Sequence, residues 1–247
     1  MSIATALTIA RKDVWVALRR RSTLVGLVVF PLIVALGLPL VLRRVGERTG
    51  AGDATMAMVP QLLDAFVFFL VIGSAVLPTA IAAYSLVGEK VERSLEPLLA
   101  TPASELEILL GKTLAALVPT LLAIWLGGAV FVLNANRQTQ SLWGRTFLPD
   151  TATWIILMVV VPLAALFSVL ASVLVSVRVT DVRTAQQLAG LMVIPFAALY
   201  VLSEIGVFDL SPTSLLWIAA VLLVLDLVLF AGARAVFDRE EILTRWR

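Results

Sequence analysis

The sequence predicts an all-α membrane protein with six transmembrane helices. Of its 247 residues, 60% are hydrophobic and only 15% are charged, and the mean hydropathy is +1.01. Soluble domains are about 45–50% apolar and about 25% charged. Six apolar stretches, each long enough to cross a bilayer as a helix, occupy more than half of the chain. We therefore expect one transmembrane domain over residues 1–247 and no separate soluble domain.

The first predicted span, residues 23–42, is an uncharged run between two groups of arginines. It is long enough to cross the roughly 30 Å hydrocarbon core as a helix. It is also longer than the apolar core of a secretory signal, about 7–15 residues, and contains no cleavage site, so we expect it to stay in the mature protein. The other predicted spans are residues 65–88, 108–133, 152–177, 184–202 and 213–233.

Each predicted span contains or adjoins a proline. Proline bends a helix and leaves a carbonyl without its usual donor, which side chains of neighbouring membrane helices can satisfy. We therefore expect kinked packing, and the prolines indicate no particular function.

The basic residues between the spans predict the orientation in the membrane. With the N-terminus inside, the cytoplasmic side holds 14 Lys and Arg residues, counting Lys112 at the cytoplasmic end of the third span, and the opposite side holds 5. Short cytoplasmic connections carry the excess of basic residues. We therefore expect both termini in the cytoplasm and the protein in the plasma membrane of a prokaryotic cell.

A short amphipathic helix is predicted before the first span. Its apolar residues recur at spacings of four and three, which places them on one helical face. They are Ile3, Leu7, Ala10, Val14 and Leu18, with Arg11 and Lys12 off that face. Two interpretations stay open: the helix is an anchor in the headgroup layer, or it grips a cytoplasmic partner.

The cytoplasmic link between spans two and three, residues 89–107, mixes seven charged residues with apolar ones. Its apolar positions recur at helical spacing, which predicts a short amphipathic helix over about 91–101, ended by Thr101 and Pro102. Ser104 and Glu107 then have the spacing of a capping box that starts the next helix. The alternative is a solvated link that needs no partner.

This link resembles the signature of type-2 ATP-binding-cassette (ABC) export permeases. The similar run is Glu89-Lys90-x-Glu92-Arg93-Ser94-Leu95-Glu96-x-Leu98-Leu99-Ala100-Thr101-Pro102, followed by Glu107, Leu110, Gly111 and Lys112. The segments 10–13 and 237–243 are similar to the two ends of that family. Ser94 is a departure, since family members often carry Gly there.

The resemblance implies a six-span permease whose link carries a coupling helix seated in a groove of a separate ATPase. Leu95, Leu98 and Leu99 would then fill an apolar cleft, and charged neighbours at the rim would set the register. The implied coupling site comprises Glu89, Lys90, Glu92, Arg93, Leu95, Glu96, Leu98, Leu99, Thr101 and Pro102. The implied partners are two ATPase copies, a second permease subunit of the same or a related chain, and membrane lipids.

Asp226 is the one acidic residue inside the predicted spans. A carboxylate there costs a few kcal/mol on insertion scales, so we expect a partner or a water-filled cavity beside it. It either lines the translocation route and contacts a cationic or polar substrate, or fixes packing through a hydrogen bond to Gln186, Gln187 or Ser176. On the fourth span, Ala164, Ser168, Ser172 and Ser176 form a stripe of small residues that allows close helix packing.

Composition also excludes several classes of site. The chain has neither histidine nor cysteine, which removes imidazole relays, thiol chemistry and metal sites built on these ligands. We therefore expect no catalytic residue, no metal site and no nucleic-acid partner. Gly111-Lys112-Thr113 matches the end of a phosphate-binding loop, but the glycine that such a loop needs at position 106 is leucine. We therefore expect the partner ATPase, and not this chain, to use ATP and Mg²⁺.

Three functions compete on these grounds. The leading hypothesis is the permease subunit of an ATP-driven exporter that forms its translocation route as a dimer. The alternative is an ion-coupled secondary transporter or a channel subunit, although such proteins usually place several ionisable groups at mid-membrane. An intramembrane enzyme has least support. The sequence does not predict the substrate.

Overall fold

A computed structural model describes residues 3–49, 53–91, 103–179 and 181–236. In these ranges the regular structure is helical, without a strand, and six helices are long and apolar enough to cross a membrane. The predicted all-α membrane fold is confirmed. We name the helices α1 (Ile3–Arg19), α2 (21–49), α3 (Asp53–Val91), α4 (Glu105–Trp143), α5 (151–178), α6 (182–204) and α7 (Pro212–Val236).

Three of these helices contain an irregular turn next to a proline. A π-helical turn, Ile33–Gly37, divides α2 into Arg21–Leu32 and Leu38–Thr49. In α5 a π-helical turn, Ile156–Val160, lies between Thr151–Ile155 and Val161–Arg178. In α6 the irregular turn is a 3₁₀ turn, Leu191–Val193, which lies between Val182–Gly190 and Ile194–Glu204. In every case the second residue after the turn is proline, which has no N–H and cannot continue the α-helical ladder.

Side chains of α4 hydrogen-bond two carbonyls at these turns. Asn134 Nδ2 donates to Ala35 O at 3.1 Å, where the α-helical donor would be the nitrogen of Pro39. Trp125 Nε1 donates to Leu157 O at 2.8 Å, in the π-helical turn of α5. Hydrocarbon contains no water to satisfy such groups, so neighbouring helices must do it. At two of the turns beside prolines, a side chain of α4 thus donates a hydrogen bond to a backbone carbonyl.

Helices α3 and α5 form the centre of the bundle. They pack against each other along most of their length, α4 and α6 also contact α3, and α7 lies on α5. The most apolar window of α3 is 72% buried, against 17% in α6. The surfaces of α2, α6 and α7 are therefore left to face lipid or another subunit.

The second candidate span starts earlier along its helix than the predicted span. The candidate span of α3 is Ala57–Ala82, whereas the hydropathy pattern placed it at 65–88. Asp64 falls within this candidate range, whereas it lies just before the predicted span. The reason is that the apolar run begins just after Asp64, while the helix itself starts at Asp53.

The fourth-to-fifth connection leads into a capped helix. Asp181 is the N-cap of α6, and its Oδ2 accepts hydrogen bonds from the N–H and the hydroxyl of Thr184, both at 2.9 Å. The backbone hydrogen bond is the largest cause that holds the pKa of Asp181 below its usual range. The carboxylate therefore stays ionised and fixes the first turn of α6.

Candidate functional site

The segment predicted to couple to an ATPase lies between α3 and α4. Its central residues, 92–102, lie outside the described residues, so the roles of Glu92, Arg93, Leu95, Glu96, Leu98, Leu99, Thr101 and Pro102 stay predictions. Glu89 and Lys90 belong to the last turn of α3. The structure therefore defines the two flanks of the segment.

The exit of this segment is fixed to the start of α4. Ala103 is buried in an apolar cluster. The Ser104 N–H donates to Glu107 Oε2 at 3.0 Å, and the Glu107 N–H donates to Ser104 Oγ at 3.3 Å. This is the capping box that the sequence predicts, and it is confirmed. The exit of the segment is therefore anchored to the first turn of α4.

A buried ion pair joins α1 to the same end of α4. Lys112 Nζ lies 3.4 Å from Asp13 Oδ2, and the side chains are 1% and 12% exposed. A buried ammonium group loses its hydration, so an opposite charge close by offsets part of that cost. Lys12 Nζ lies 3.7 Å from the other oxygen of Asp13 but is 56% exposed. Lys112 is therefore the buried partner that ties α1 to α4.

Gly111 allows the two helices to approach closely enough for this pair. A Cβ at Gly111 would lie 2.9 Å from Ala6 O and 2.9 Å from Ile9 Cβ, both on α1. Such distances are too short without a shift of the α1 backbone. Gly111 and Lys112, which belong both to the family resemblance and to the rejected phosphate-loop match, thus form the docking surface for α1.

The face of α1 that packs against the bundle overlaps the predicted apolar face only at Ala10. Its small residues Ala6, Ala10 and Ala17 are buried, whereas Ile3 and Leu7 of the predicted apolar face are exposed. Close packing on α4 requires small side chains, so the large apolar residues point elsewhere. Beside them, the Arg19 guanidinium lies 3.3 Å from the ring centre of the exposed Trp15. Large apolar, aromatic and basic residues together suit a headgroup layer.

Asp226 lies on the face of α7 that packs against the bundle. It is 3% exposed and lies on the same helical face as the buried Leu215, Ala219 and Leu222. Neither carboxylate oxygen has a hydrogen-bond partner among the described residues. The hydrogen bond proposed from the sequence, to Gln186, Gln187 or Ser176, is therefore not formed: the two glutamines are exposed on α6, and Ser176 donates to Val173 O.

A second buried polar atom lies at the depth of Asp226. A Cβ at Gly232 of α7 would lie 4.0 Å from Leu174 of α5. Helices α5 and α7 run in the same direction from the same end of the bundle. Asp226 lies six residues before Gly232 on α7, and Ser168 lies six residues before Leu174 on α5, so Asp226 and Ser168 lie at similar depth. Ser168 Oγ is also buried without a partner among the described residues. The stripe of small residues to which it belongs is fully buried, as the packing interpretation predicts.

Comparison with known proteins decides the class of the chain. A family model described as "ABC-2 family transporter protein" matches residues 7–212, more than four fifths of the sequence. The chain belongs to the ABC-2 transporter family. The match runs from α1 through the coupling segment to the start of α7. No curated protein matches the chain.

Family membership confirms the resemblance read from the coupling segment. This ABC-2 protein is a multi-pass membrane permease subunit of an ABC transporter, a class that associates with an ABC ATPase subunit. The docking of α1 on Gly111 and Lys112 lies beside the segment that the sequence predicts to contact the ATPase.

The ABC-2 permease also has a cavity at the other end of the bundle. Its volume is about 740 Å³, and it is lined by the end of α4 at Trp143, the start of α3 and the connections around α7. The described lining includes Asp64, Asp150, Glu204 and Asp209 but no Lys or Arg. No local sequence pattern predicts this site, because its acidic residues are scattered over two helices and two connections.

Proposed function

We propose that this ABC-2 permease is the membrane subunit of an exporter that works as a homo- or heterodimer and is driven by two separate ATPase subunits. The ATPase subunits would bind ATP and Mg²⁺, and this chain would hold no cofactor and catalyse no reaction itself. The observation that carries the proposal is the family match over residues 7–212, which includes the coupling segment.

The geometry around the coupling segment supports a mechanical role. The segment is bounded by α3, a 39-residue helix that ends at Val91, and by the capped start of α4, also 39 residues long. Each helix is about 58 Å long at about 1.5 Å per residue, so each extends beyond the hydrocarbon core. Movement of a partner on the segment would tilt both helices, and α1 would follow α4 because of the buried ion pair.

The positions of α1 and of the last turn of α7 support a cytoplasmic location for both termini. Ala17 of α1, Ala103 after the coupling segment and Ala233 of α7 belong to one buried cluster. The N-terminal helix, the exit of the coupling segment and the end of α7 therefore lie on one side of the bundle. The excess of basic residues assigns this side to the cytoplasm.

The uneven burial of the spans supports a dimer. The most apolar windows of the spans in α2, α6 and α7 are only 28%, 17% and 22% buried within one chain. One six-span bundle is small for a route that carries a sizeable substrate, and a second permease subunit would enlarge it. Family membership supports this arrangement over an ion-coupled transporter or channel.

Co-purification with the ATPase subunit tests the coupling site. We expect Leu95→Asp and Leu98→Asp to weaken ATPase recovery by more than about tenfold, because a buried interface anchor contributes about 2 kcal/mol or more and an unpaired carboxylate adds a desolvation cost. Glu92→Gln is the matched control, since a rim charge contributes little. Unchanged recovery and transport in both leucine variants, at equal membrane insertion, would mean that the segment is only a solvated link.

A further inference from the structure

The cavity opposite α1 has the size and walls of a small-molecule site. Its volume of about 740 Å³ lies within the range of about 300–1,000 Å³ typical of ligand pockets. Leu42, Val59 and Leu210 supply apolar wall, and the ring of Trp143 lies beside them. The cavity can therefore enclose a molecule with a sizeable apolar body.

The polar part of the wall carries one sign of charge. Asp64, Asp150, Glu204 and Asp209 all line the cavity, and side chains of the same charge repel one another across it. Arg43, next in sequence to the wall residue Leu42, is engaged with Glu47, with Nε–Oε1 at 2.7 Å. A concave surface with one sign of charge concentrates ligands of the opposite sign. A bound cation would relieve the repulsion.

Two further polar groups of the wall have no partner among the described residues. The indole N–H of Trp143 is buried and unpaired. Ser203 is 7% exposed, lines the cavity, and takes part in no side-chain hydrogen bond with another described residue. The Trp143 ring is held in place by α2, because a Cβ at Gly46 would lie 2.9 Å from its Cη2 atom. A fixed indole is the strongest cation–π partner among the side chains.

The arrangement suits an organic cation better than a metal ion. In the ranges that the structure describes, no three acidic residues converge closely enough to hold a metal. The cavity is also far larger than a metal ion. The ligand must therefore fill apolar volume while its positive charge lies near several dispersed carboxylates.

We propose that this cavity binds lipophilic organic cations, such as quaternary ammonium or phosphonium compounds, and that these are the substrate class of the permease. The inference rests on the proposed exporter function only for the statement that the bound cation is transported. The acidic residues attract the charge, Trp143 contacts it through its ring, and the apolar wall covers the body of the molecule.

Equilibrium binding of tetraphenylphosphonium to the purified permease tests the proposal. The protein is placed in nanodiscs of uncharged phosphatidylcholine, and the neutral triphenylphosphine oxide is measured in parallel. We expect saturable binding of one phosphonium per chain. Asp64→Asn combined with Asp150→Asn should weaken it about tenfold, since two of four attracting charges are lost. Asn keeps the N-cap function of position 150.

Two controls guard against misfolding and unspecific charge effects. Glu204→Gln with Asp209→Asn changes two exposed residues of the same wall and should weaken binding severalfold without affecting the unfolding midpoint. Glu47→Gln removes an acidic residue on the same side of the bundle that does not line the cavity, and it should leave binding unchanged.

Three outcomes would overturn the proposal. Equal binding of the neutral compound would mean that the wall is merely apolar. Unchanged phosphonium binding in both double variants would mean that the acidic residues play no part. Calcium binding that depends on the acidic residues, without phosphonium binding, would assign the site to a metal ion. None of these measurements needs the ATPase, so their result is independent of the co-purification experiment.

Discussion

Trp125 on α4 donates its indole N–H to the carbonyl of Leu157 on α5, 2.8 Å away. The α-helical donor to that carbonyl would be the N–H of Val161, but this group instead bonds to Ile156 O, one residue further back. In the π-helical register the donor would be residue 162, which is proline and has no N–H. Trp125 therefore satisfies a carbonyl that both backbone registers leave open.

We expect Trp125→Phe to destabilise the protein by about 1 kcal/mol. The ring volume is largely kept, but the Leu157 carbonyl loses its donor, and hydrogen bonds between membrane helices contribute about 0.6–2 kcal/mol. Reversible unfolding in mixed detergent micelles measures the loss. The matched control is Trp217→Phe, at an exposed indole on α7. Equal effects of the two substitutions would contradict the role of the Trp125 hydrogen bond.

The buried pair of Asp13 and Lys112 gives a second prediction. Asp13→Asn should cost about 1–3 kcal/mol, because the ammonium of Lys112 keeps its desolvation cost and loses one opposite charge. Lys112→Met should cost less, since Asp13 retains partial access to solvent. The double variant should be more stable than the sum of the single changes predicts, as for residues in contact.

Lys12→Met is the control for this pair. Its ammonium also lies near Asp13 but is exposed, and exposed ion pairs contribute about 0–1 kcal/mol. Additive effects of Asp13→Asn and Lys112→Met in unfolding experiments would mean that the two side chains do not stabilise each other.

Local patterns account for the parts of the fold that the sequence predicts correctly. Six spans follow from runs of apolar residues, and the capping box follows from Ser104 and Glu107, which are three positions apart. The stripe that contains Ser168 follows from a spacing of four along one helix. Each pattern is complete within a few turns of chain.

The features that the sequence analysis missed depend on distant residues. Asp13 and Lys112 are 99 positions apart, as are Ala35 and Asn134, so no local period indicates either pair. The face of α1 that packs on α4 was not predicted, because close approach to Gly111 selects small residues such as Ala6 rather than large apolar ones. The cavity was missed for the same reason, since Asp64 and Asp209 line one cavity only in the folded chain.

Cysteine labelling tests the orientation, and the chain conveniently contains no native cysteine. Arg145→Cys, at an exposed residue after α4, should react with a membrane-impermeant thiol reagent in intact cells. Arg93→Cys, in the coupling segment, should react only after the membrane is permeabilised. The reverse pattern would invert the proposed topology and would move the acidic cavity to the cytoplasmic side.

Asp226 gives the fourth prediction. Its carboxylate is buried and makes no hydrogen bond with the described residues, so neither Asp226→Asn nor Asp226→Leu removes such a bond. Burying a polar group without a partner costs free energy. We therefore expect the unfolding midpoint of both variants to be unchanged or higher, and transport to fall in both if the acid contacts the substrate.

Transport and unfolding must be measured on the same preparations at matched expression, because only their combination separates the two roles of Asp226. Ser168→Ala is the matched control, since it removes the other unpaired polar atom at the same depth without changing charge. A stable, fully active Asn variant beside an unstable Leu variant would indicate a packing hydrogen bond formed in another conformation. Full activity and stability of the Leu variant would eliminate both roles, because then neither the charge nor the polar shape of the side chain is needed.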